Sequence, residues 1–396
     1  VFVRISCYRQ EGTMKVIFIT NIPAHYRVAM LNKADEILRK NDIEMTVVFV
    51  RQTYKRRDYW SADKNNFKFR YIFLNNKYSI SIGRKKLLES GLGIRKILAE
   101  IKPDLIVSGG FSLLSLNVSI FSRKHGIKYA LYSGETESTS KKLLFKRLRY
   151  HLRNYIIKNA HYFIVYGKKA EEYIENFGIK KNRISVAINS IDTNRFIQKL
   201  GSVEKKANKN VNLLFVGELR ESKGLIHLLK ALDIIEEKGF ELRIVGDGAY
   251  RKYLNKYIAD NKISFVKFEG KISHDEMQNY YRQSDVFILP SIFEHFGLVL
   301  VEAACAGLPL IATTLTGGAF DVIEEGINGY IVDPFDHGGF SEKIGRLISD
   351  KELREKLDNK GYFFLLIPEI FGAEIIPASF GGSSFKSFSQ IKKQIS

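Results

Sequence analysis

The stretch PSIFEHFGLVLVEAACAGLP (Pro290–Pro309) joins the apolar run DVFILP to a second apolar run, LIAT. Both runs are short and bounded by turn residues, which predicts buried strands, and LVLVEAACAG between them predicts a helix. The loop SIFEHFG therefore ends at a helix N-terminus, where backbone N–H groups lack helical partners and can bind an anion. We predict an anion site at the amides of Phe296, Gly297 and Leu298, with Gly297 allowing a phosphate to approach the backbone closely.

Two carboxylates flank this predicted anion site, Glu294 in the loop and Glu302 in the helix. Glu302 follows Leu298 by one turn, about 5.4 Å along the helix. A carboxylate there would repel a phosphate unless it binds neutral hydroxyl groups, and the ribose of a nucleotide diphosphate offers two. Glu294 would then hold the hydroxyls of the group that the diphosphate carries. The alternative for Glu302 is a partly exposed helix residue paired with a lysine.

Short apolar runs alternate with helical patterns on both sides of one polar segment, QKLGSVEKKANKN. KVIFIT, MTVVFV, FRYIFL, DLIVSG, KYALYS and AHYFIVYG precede that segment, and VNLLFVG, FELRIVGDG, ISFVKFEG, DVFILP, PLIATT and GYIVD follow it. Such alternation predicts an α/β fold with two doubly wound, Rossmann-like domains facing a cleft. We divide the chain into a leader (1–13), a first domain (14–197), a linker (198–210), a second domain (211–361) and an atypical tail (362–396).

The two ends of the chain depart from this pattern. VFVRISCYRQEGT precedes MKVIFIT, so we interpret residues 1–13 as sequence upstream of a natural start at Met14, or as a short disordered arm. The tail is apolar and rich in Pro, Gly and Ser, with no consistent period. It is either a hydrophobic tail that docks on a membrane or the product of a shifted reading frame, and we favour the second.

The net charge and the cysteine content of the chain limit the kinds of partner and compartment that we expect. The 396 residues carry a net charge of +19, which favours anionic partners such as nucleic acid, an acidic membrane surface or phosphorylated substrates. The only cysteines, Cys7 and Cys305, make a disulfide framework unlikely and a reducing compartment the default. We find no run of eighteen apolar residues that would span a membrane.

The second half resembles the retaining glycosyltransferases of family 4, which have the GT-B fold. FEHFGLVLVEAACAGLPLIAT resembles their E-x7-E segment, and four further stretches follow the family's order and spacing: FVGELRESKGLIHLLKAL, LRIVGDGAYRKYL, FEGKISHDEMQNYYRQSDVFILPS and LTGGAFDVIEEGINGYIV. In the first half, NSIDTNRF resembles the segment that crosses between the domains, and IPAHYRVAML resembles the first strand-to-helix loop.

The resemblance implies roles for the matching residues. Glu302 would bind the donor ribose, Glu294 the transferred sugar, and the amides of Phe296, Gly297 and Leu298 the distal phosphate or the sugar. The remaining implied donor contacts are Lys223 to the diphosphate, Phe268 and Gly270 within FEGK to the base, and Thr316 and Gly317 along the pocket. Family members often carry Arg where this chain has Glu218, so Arg220 is the candidate for a second diphosphate cation. A solvated Lys223 and a His295 that merely packs remain the alternatives to functional roles.

In the first domain the resemblance implies an acceptor site. Its catalytic region corresponds to LYSGETESTS, in which Glu135 and Ser133 are the candidates. His25, Tyr26 and Arg27 follow the first strand and should border the cleft; alternatively, they open a helix with a cation exposed to solvent.

The basic charge is concentrated in residues 141–162, which carry seven Lys and Arg and no acid. Leucines and Ile156 recur in this segment at helical spacing, and Tyr54–Trp60 adds cations among aromatic rings. We predict a surface that lies on anionic lipid. The alternative is a core-packing helix with a solvated basic face.

Together with the resemblance, these features predict a retaining, metal-independent hexosyltransferase that moves a sugar from a nucleotide diphosphate sugar to a lipid-linked or cell-envelope saccharide. It would act in the cytoplasm, peripherally on the inner face of the membrane. No Asp-x-Asp pair is present, so no metal and no cofactor is expected. The alternatives are a sugar-nucleotide epimerase of the same fold and a basic nucleic-acid-binding protein, although the sequence contains no recognised nucleic-acid module.

Overall fold

The structure, a computed structural model, describes residues 13–52, 63–74, 79–82, 85–89, 93–141, 146–193, 196–198, 210–273 and 276–357. Within these ranges the chain forms two parallel sheets, one before and one after the predicted linker. Both sheets combine strands with intervening helices, as the alternating sequence pattern predicts. The leader up to residue 12, the segment Tyr54–Trp60, most of the linker and the tail lie outside the described residues.

The first domain contains a seven-stranded parallel sheet in the order β3-β2-β1-β6-β7-β8-β9, and β4 pairs with β5 as an antiparallel hairpin. Its strands are β1 (Met14–Thr20), β2 (Ile43–Phe49), β3 (Arg70–Phe73), β4 (Ser79–Ile82), β5 (Lys85–Glu89), β6 (Leu105–Gly109), β7 (Lys128–Ser133), β8 (Tyr162–Val165) and β9 (Ile184–Val186). Its helices are α1 (His25–Arg39), α2 (Ile94–Ile101), α3 (Leu113–His125), α4 (Glu137–Lys141), α5 (Lys146–Asn159) and α6 (Lys168–Glu175).

The second domain contains a six-stranded parallel sheet in the order β12-β11-β10-β13-β14-β15. Its strands are β10 (Val211–Val216), β11 (Phe240–Val245), β12 (Val266–Gly270), β13 (Val286–Leu289), β14 (Leu310–Thr313) and β15 (Gly329–Val332). Its helices are α7 (Leu225–Asp233), α8 (Arg251–Asp260), α9 (Met277–Arg282), α10 (Leu298–Cys305), α11 (Ala319–Val322) and α12 (His337–Ser349).

Both faces of the first sheet are buried, as a parallel sheet covered by helices requires. Successive residues of β1 point to opposite faces, so Ile17 and Ile19 enter one apolar cluster while Val16 and Phe18 enter another. A single larger cluster surrounds the second sheet. The cores therefore hold both sheets rigid, and the loops at the carboxyl ends of their strands are the places where ligands bind in such folds.

The prediction of two doubly wound α/β domains is confirmed, and every strand that the sequence analysis named has its counterpart. The hairpin of β4 and β5 and the short edge strand β9 were not predicted. Among the described residues, no helix is long and apolar enough to cross a bilayer.

Helix α5 corrects the interpretation of the basic segment. Its apolar side faces the protein rather than lipid: Ile156 is fully buried and Leu152 packs against the same cluster of the first domain. Arg153, expected to face the membrane, is buried and paired with Glu135. A charge of this kind is kept inside by its partner, whereas Arg147 and Lys158 remain exposed. Thus α5 is a core-packing helix with a basic outer side.

Candidate active site

The loop between β13 and α10 contains a backbone geometry that requires glycine. Gly297 caps α10 with φ of 90°, and a Cβ at this position would lie 2.8 Å from a methyl group of Leu289. Among the described residues, the amides of Phe296, Gly297 and Leu298 donate no hydrogen bond. Three free donors thus converge at the positive end of a helix, as an anion site requires.

A second loop, after β14, holds the first in place. The Gly317 amide donates to the Glu294 carbonyl at 3.1 Å, and the Gly318 amide donates to the Phe296 carbonyl at 3.0 Å. A Cβ on Gly317 would collide with the carbonyl oxygen of His295, so the two loops fit together only with glycine there. Thr316 was expected to line the pocket, but its side chain is fully buried, with its hydroxyl 3.2 Å from that of Thr313.

Glu294 and Lys223 form an ion pair at this site. The Lys223 Nζ lies 2.5 Å from the Glu294 Oε2, and both side chains are largely buried. Burial by itself would raise the pKa of Glu294, but the charge and hydrogen bond of Lys223, with smaller contributions from His295 and Arg220, bring it below its ordinary value. The carboxylate is therefore ionised, and Lys223 is not the solvated lysine of the alternative interpretation.

The backbone places Lys223 against the loop. Ile292 and Phe293 donate their amides to the carbonyl of Ser222, at 3.0 and 3.2 Å. Gly224 follows with φ of 67°, and a Cβ there would collide with the Pro290 carbonyl. The turn that carries Lys223 is thus bonded directly to the loop that carries Glu294.

Glu302 lies in α10, where its Oε2 accepts a hydrogen bond of 2.6 Å from the hydroxyl of Tyr281. Burial raises the pKa of Glu302 to about 7, although the Tyr281 hydrogen bond lowers it. Glu302 therefore has a tyrosine as its partner, rather than the lysine of the alternative interpretation. Tyr281 was not among the predicted site residues, because nothing in the sequence of α9 shows which side chain faces α10.

The second predicted diphosphate cation is placed differently. The Arg220 Nε lies 3.3 Å from the Glu218 Oε2, and Arg220 is exposed. It nevertheless contributes to the lowered pKa of Glu294, so its charge reaches the site. Glu218, which stands where family members often carry Arg, thus pairs with Arg220, the candidate for the second diphosphate cation.

Phe268 and Gly270 occupy the end of the edge strand β12. Phe268 is half-buried, and the guanidinium of Arg251 lies 5.0 Å from its ring centroid. Gly270 has φ of 76°, and its carbonyl accepts the Gly246 amide at 2.7 Å. Both residues lie at the carboxyl end of the second sheet, where the sequence analysis expected a base contact.

The first domain reaches the same loops. The Gly134 carbonyl lies 3.2 Å from the Nδ1 of His295, so His295 bridges the domains rather than only packing or facing solvent. The neighbouring Glu135 accepts a hydrogen bond of 2.5 Å from Arg153, and its amide donates to the Ser133 hydroxyl at 3.1 Å. One carboxylate oxygen of this candidate catalytic residue is therefore occupied.

Residues His25, Tyr26 and Arg27 open α1, directly after β1. Arg27 is half-buried and bonded to the protein, so it is not the solvent-exposed cation of the alternative interpretation. Among the described residues, no group of acidic, histidine or cysteine side chains is arranged to hold a metal ion.

Known proteins resemble both the sequence and the fold. Residues 197–363 match the family model described as glycosyl transferases group 1. A segment of 200 residues is 30% identical to an uncharacterized glycosyltransferase of Methanocaldococcus jannaschii, covering 48% of this chain and 51% of that protein. A segment of 194 residues is 29% identical to the capsular polysaccharide biosynthesis glycosyltransferase CapM of Staphylococcus aureus, covering 46% and 50%. The chain thus spans about half the length of these curated relatives.

Solved structures match over nearly the whole chain. Sucrose-phosphate synthase from Thermosynechococcus elongatus superposes with a TM-score of 0.71 at 19% identity, covering 96% of this chain and 99% of that one. Anabaena HepE in complex with UDP superposes with a TM-score of 0.68 at 19% identity, covering 91% and 100%. The protein therefore has the GT-B fold. The match to the family model covers residues 197–363, in the second half of the chain.

Proposed function

We propose that this protein is a retaining hexosyltransferase that moves a sugar from a nucleotide diphosphate sugar to a saccharide of the cell envelope or to a lipid-linked saccharide. The observation that carries the proposal is the juxtaposition of the Lys223–Glu294 ion pair with the free amides of Phe296, Gly297 and Leu298. A cation and three N–H donors suit a diphosphate, and a neighbouring ionised carboxylate suits the hydroxyls of a sugar. The match of residues 197–363 to group 1 glycosyl transferases agrees with it.

The proposed donor occupies the second domain from end to end. Glu302 accepts hydrogen bonds from the ribose hydroxyls, with Tyr281 orienting its carboxylate. Phe268 and Gly270 contact the base at the edge of the sheet. Gly317 lines the diphosphate pocket through its backbone, and Arg220 contributes positive charge from the surface.

In the proposed reaction, an acceptor hydroxyl attacks the anomeric carbon on the face that the diphosphate leaves. The new C–O bond forms as the bond between the anomeric carbon and the phosphate oxygen breaks, and the hydroxyl proton passes to that phosphate oxygen. Lys223 and the amides at the start of α10 stabilise the charge on the leaving diphosphate as fixed, preorganised donors. No metal ion is required in this mechanism, and Glu135 is assigned to the acceptor side.

The test is incubation of the protein with radiolabelled UDP-, GDP- and ADP-sugars in excess EDTA. We expect turnover of one class, and we expect the sugar released by slow hydrolysis to keep the anomeric configuration of the donor, as read by proton NMR. Activity that vanishes with EDTA and returns with Mg²⁺ would refute metal independence. Release of the inverted anomer would refute retention, and interconversion of donor sugars without transfer would point to an epimerase.

We further propose that the enzyme works peripherally on the inner face of the cytoplasmic membrane. The support is electrostatic, because the exposed side of α5 carries Arg147 and Lys158 with no acidic residue in the helix. Cations near an anionic leaflet contribute about 1 kcal/mol each to binding. The apolar side of α5 contributes nothing to this attraction, since it is part of the core.

A further inference from the structure

Arg27 occupies an unusual position for an arginine. It lies near the start of α1, where its Nη1 donates to the Thr20 hydroxyl at 2.9 Å, at the carboxyl end of β1. Its Nη2 is 3.4 Å from the Tyr26 hydroxyl, a long hydrogen bond. A guanidinium has five N–H donors, and these two neutral hydroxyl groups are its only side-chain hydrogen-bond partners in the described part of the chain.

Among the residues that the structure describes, the surroundings of Arg27 contain aromatic rings and no counter-ion. The guanidinium carbon lies 5.5 Å from the ring centroid of Tyr26 and 5.7 Å from that of Tyr132. Arg27 forms no ion pair with any residue that the structure describes, whereas the buried Arg153 of the same domain is paired with Glu135. Burial tends to lower the pKa of Arg27, but the tyrosines, chiefly Tyr166, keep it above its ordinary value.

This cluster, Thr20, Tyr26, Arg27, Tyr132 and Tyr166, extends to the boundary between the domains. The rings of Tyr132 and Tyr166 are 4.8 Å apart, and Tyr166 packs against both the first-domain core and the core of the second domain. Two residues after Tyr132, the Gly134 carbonyl meets His295 of the donor loop. The cation therefore lies on the first-domain side of the cleft, across from the anion site of α10.

We propose that Arg27 binds an oxyanion of the acceptor, a phosphate or a carboxylate, with Thr20 and Tyr26 fixing the direction of its guanidinium. This inference rests on the proposed function and specifies its acceptor as an anionic saccharide or saccharide-lipid. A planar guanidinium pairs with two oxygens of such a group at once. A partly desolvated cation without a counter-ion gains more from an incoming anion than an exposed one does.

The phosphate chemistry could come from the acceptor or from the donor, and placement favours the acceptor. The donor diphosphate already has Lys223 and the amides of α10, all in the second domain. Arg27 lies in the first domain, at the carboxyl end of its parallel sheet. A diphosphate held by α10 leaves Arg27 available for a second anion bound at the same time.

The test measures two affinities by calorimetry. The first is the affinity for whichever of UDP, GDP or ADP binds best, and the second is the affinity of the nucleotide-saturated protein for inorganic phosphate. We expect Arg27→Gln to weaken phosphate binding at least tenfold and to change nucleotide affinity by less than twofold. Arg27→Lys keeps the positive charge but lacks the planar guanidinium. We expect its phosphate affinity to lie between those of the wild type and Arg27→Gln.

The matched control is Arg183→Gln. Arg183 also lies near a ring, 5.6 Å from the Phe163 centroid, and donates its Nε to the His161 carbonyl at 3.0 Å, beside the start of β9. We expect this variant to bind phosphate like the wild type. Thermal unfolding of all variants verifies that they fold. If Arg27→Gln does not fold, Arg27→Lys takes its place in the comparison.

The outcomes separate the two proposals. Suppose the protein binds a nucleotide but binds no phosphate, or binds phosphate equally well in the wild type and the Arg27 variants. Either result overturns the role of Arg27 and leaves the proposed function intact. A tenfold loss of nucleotide affinity in Arg27→Gln overturns the acceptor assignment, because it places Arg27 on the donor. Failure of the wild type to bind any nucleotide overturns the proposed function, and the acceptor assignment with it.

Discussion

Lys223 and Glu294, seventy-one residues apart in sequence, are joined by a hydrogen-bonded ion pair of 2.5 Å. The family resemblance implies that Lys223 contacts a diphosphate and Glu294 a sugar, and in the protein alone the two side chains bind each other. The proposed donor would therefore share Lys223 with Glu294. The pair sets a cation and an anion side by side, which matches a ligand with a charged diphosphate next to a neutral sugar.

Lys223→Ala should weaken donor binding and slow transfer. A hydrogen bond to a charged group is worth about 1.5–3 kcal/mol, or roughly tenfold to a hundredfold in affinity. Nucleotide affinity by calorimetry and transfer rates with the active donor would measure both effects. Lys230→Ala, an exposed lysine in α7, is the control. A Lys223→Ala variant as active as the parent would contradict the assignment.

Glu302→Gln and Glu294→Gln should have different kinetic effects. The first removes the proposed ribose contact and should raise the dissociation constant for the nucleotide, by about tenfold or more. The second should leave nucleotide affinity nearly unchanged and mainly lower kcat, because the proposed role of Glu294 is to hold the transferred sugar. Equal kinetics for both variants, close to the wild type, would remove the basis for both roles.

Donor affinity should rise with pH through Glu302. Its pKa is about 7 in the free protein, and ribose hydroxyls donate to the ionised form, so binding should strengthen between pH 6 and 8. The measurement is nucleotide affinity at pH 6, 7 and 8 in the wild type and in Glu302→Gln. Protonation of the nucleotide itself affects the affinities of both proteins equally, so it cancels in the comparison. The difference between them should grow with pH, and a constant difference would exclude Glu302 as the titrating group.

Asp321→Asn should alter how stability depends on pH. Asp321 caps the first-domain helix α6 from the second domain, accepting the Lys168 amide at 3.0 Å. Burial raises its pKa to about 6, although Lys168 lowers it, so the folded state binds a proton that the unfolded state has released. Stability from this group is present below about pH 4 and lost as pH rises through 6. In urea unfolding between pH 4 and 7, the variant should lose less stability than the wild type; parallel curves would contradict this.

The outer cations of α5, namely the exposed Arg147 and Lys158 and the half-buried Arg149, should mediate binding to anionic vesicles. Arg147, Arg149 and Lys158 changed together to Gln should weaken binding about a hundredfold, at about 1 kcal/mol per cation. Cosedimentation with phosphatidylglycerol vesicles at low and physiological salt is the measurement. The control removes the exposed second-domain lysines Lys252, Lys256 and Lys262. Equal losses in both triple variants would indicate only general charge attraction. Arg153 is left out, because its removal would leave Glu135 buried without its partner.

The architecture and the loop between β13 and α10 follow from the sequence alone. Strand and helix periods are local properties, so the two parallel sheets followed from apolar runs a few residues long. The free amides at the start of α10 were also predictable, because the first N–H groups of any helix have no partner within the helix.

Which side chains meet depends on how distant segments pack together in the folded protein. Glu302 is paired with Tyr281, Asp321 caps a helix 153 residues away, and His295 reaches Gly134. Arg153 belonged, by sequence, to a basic surface, yet packing turned it inward to Glu135. Distances along the chain do not encode such contacts, since burial and the partners of a charge are set by elements folded together from distant segments.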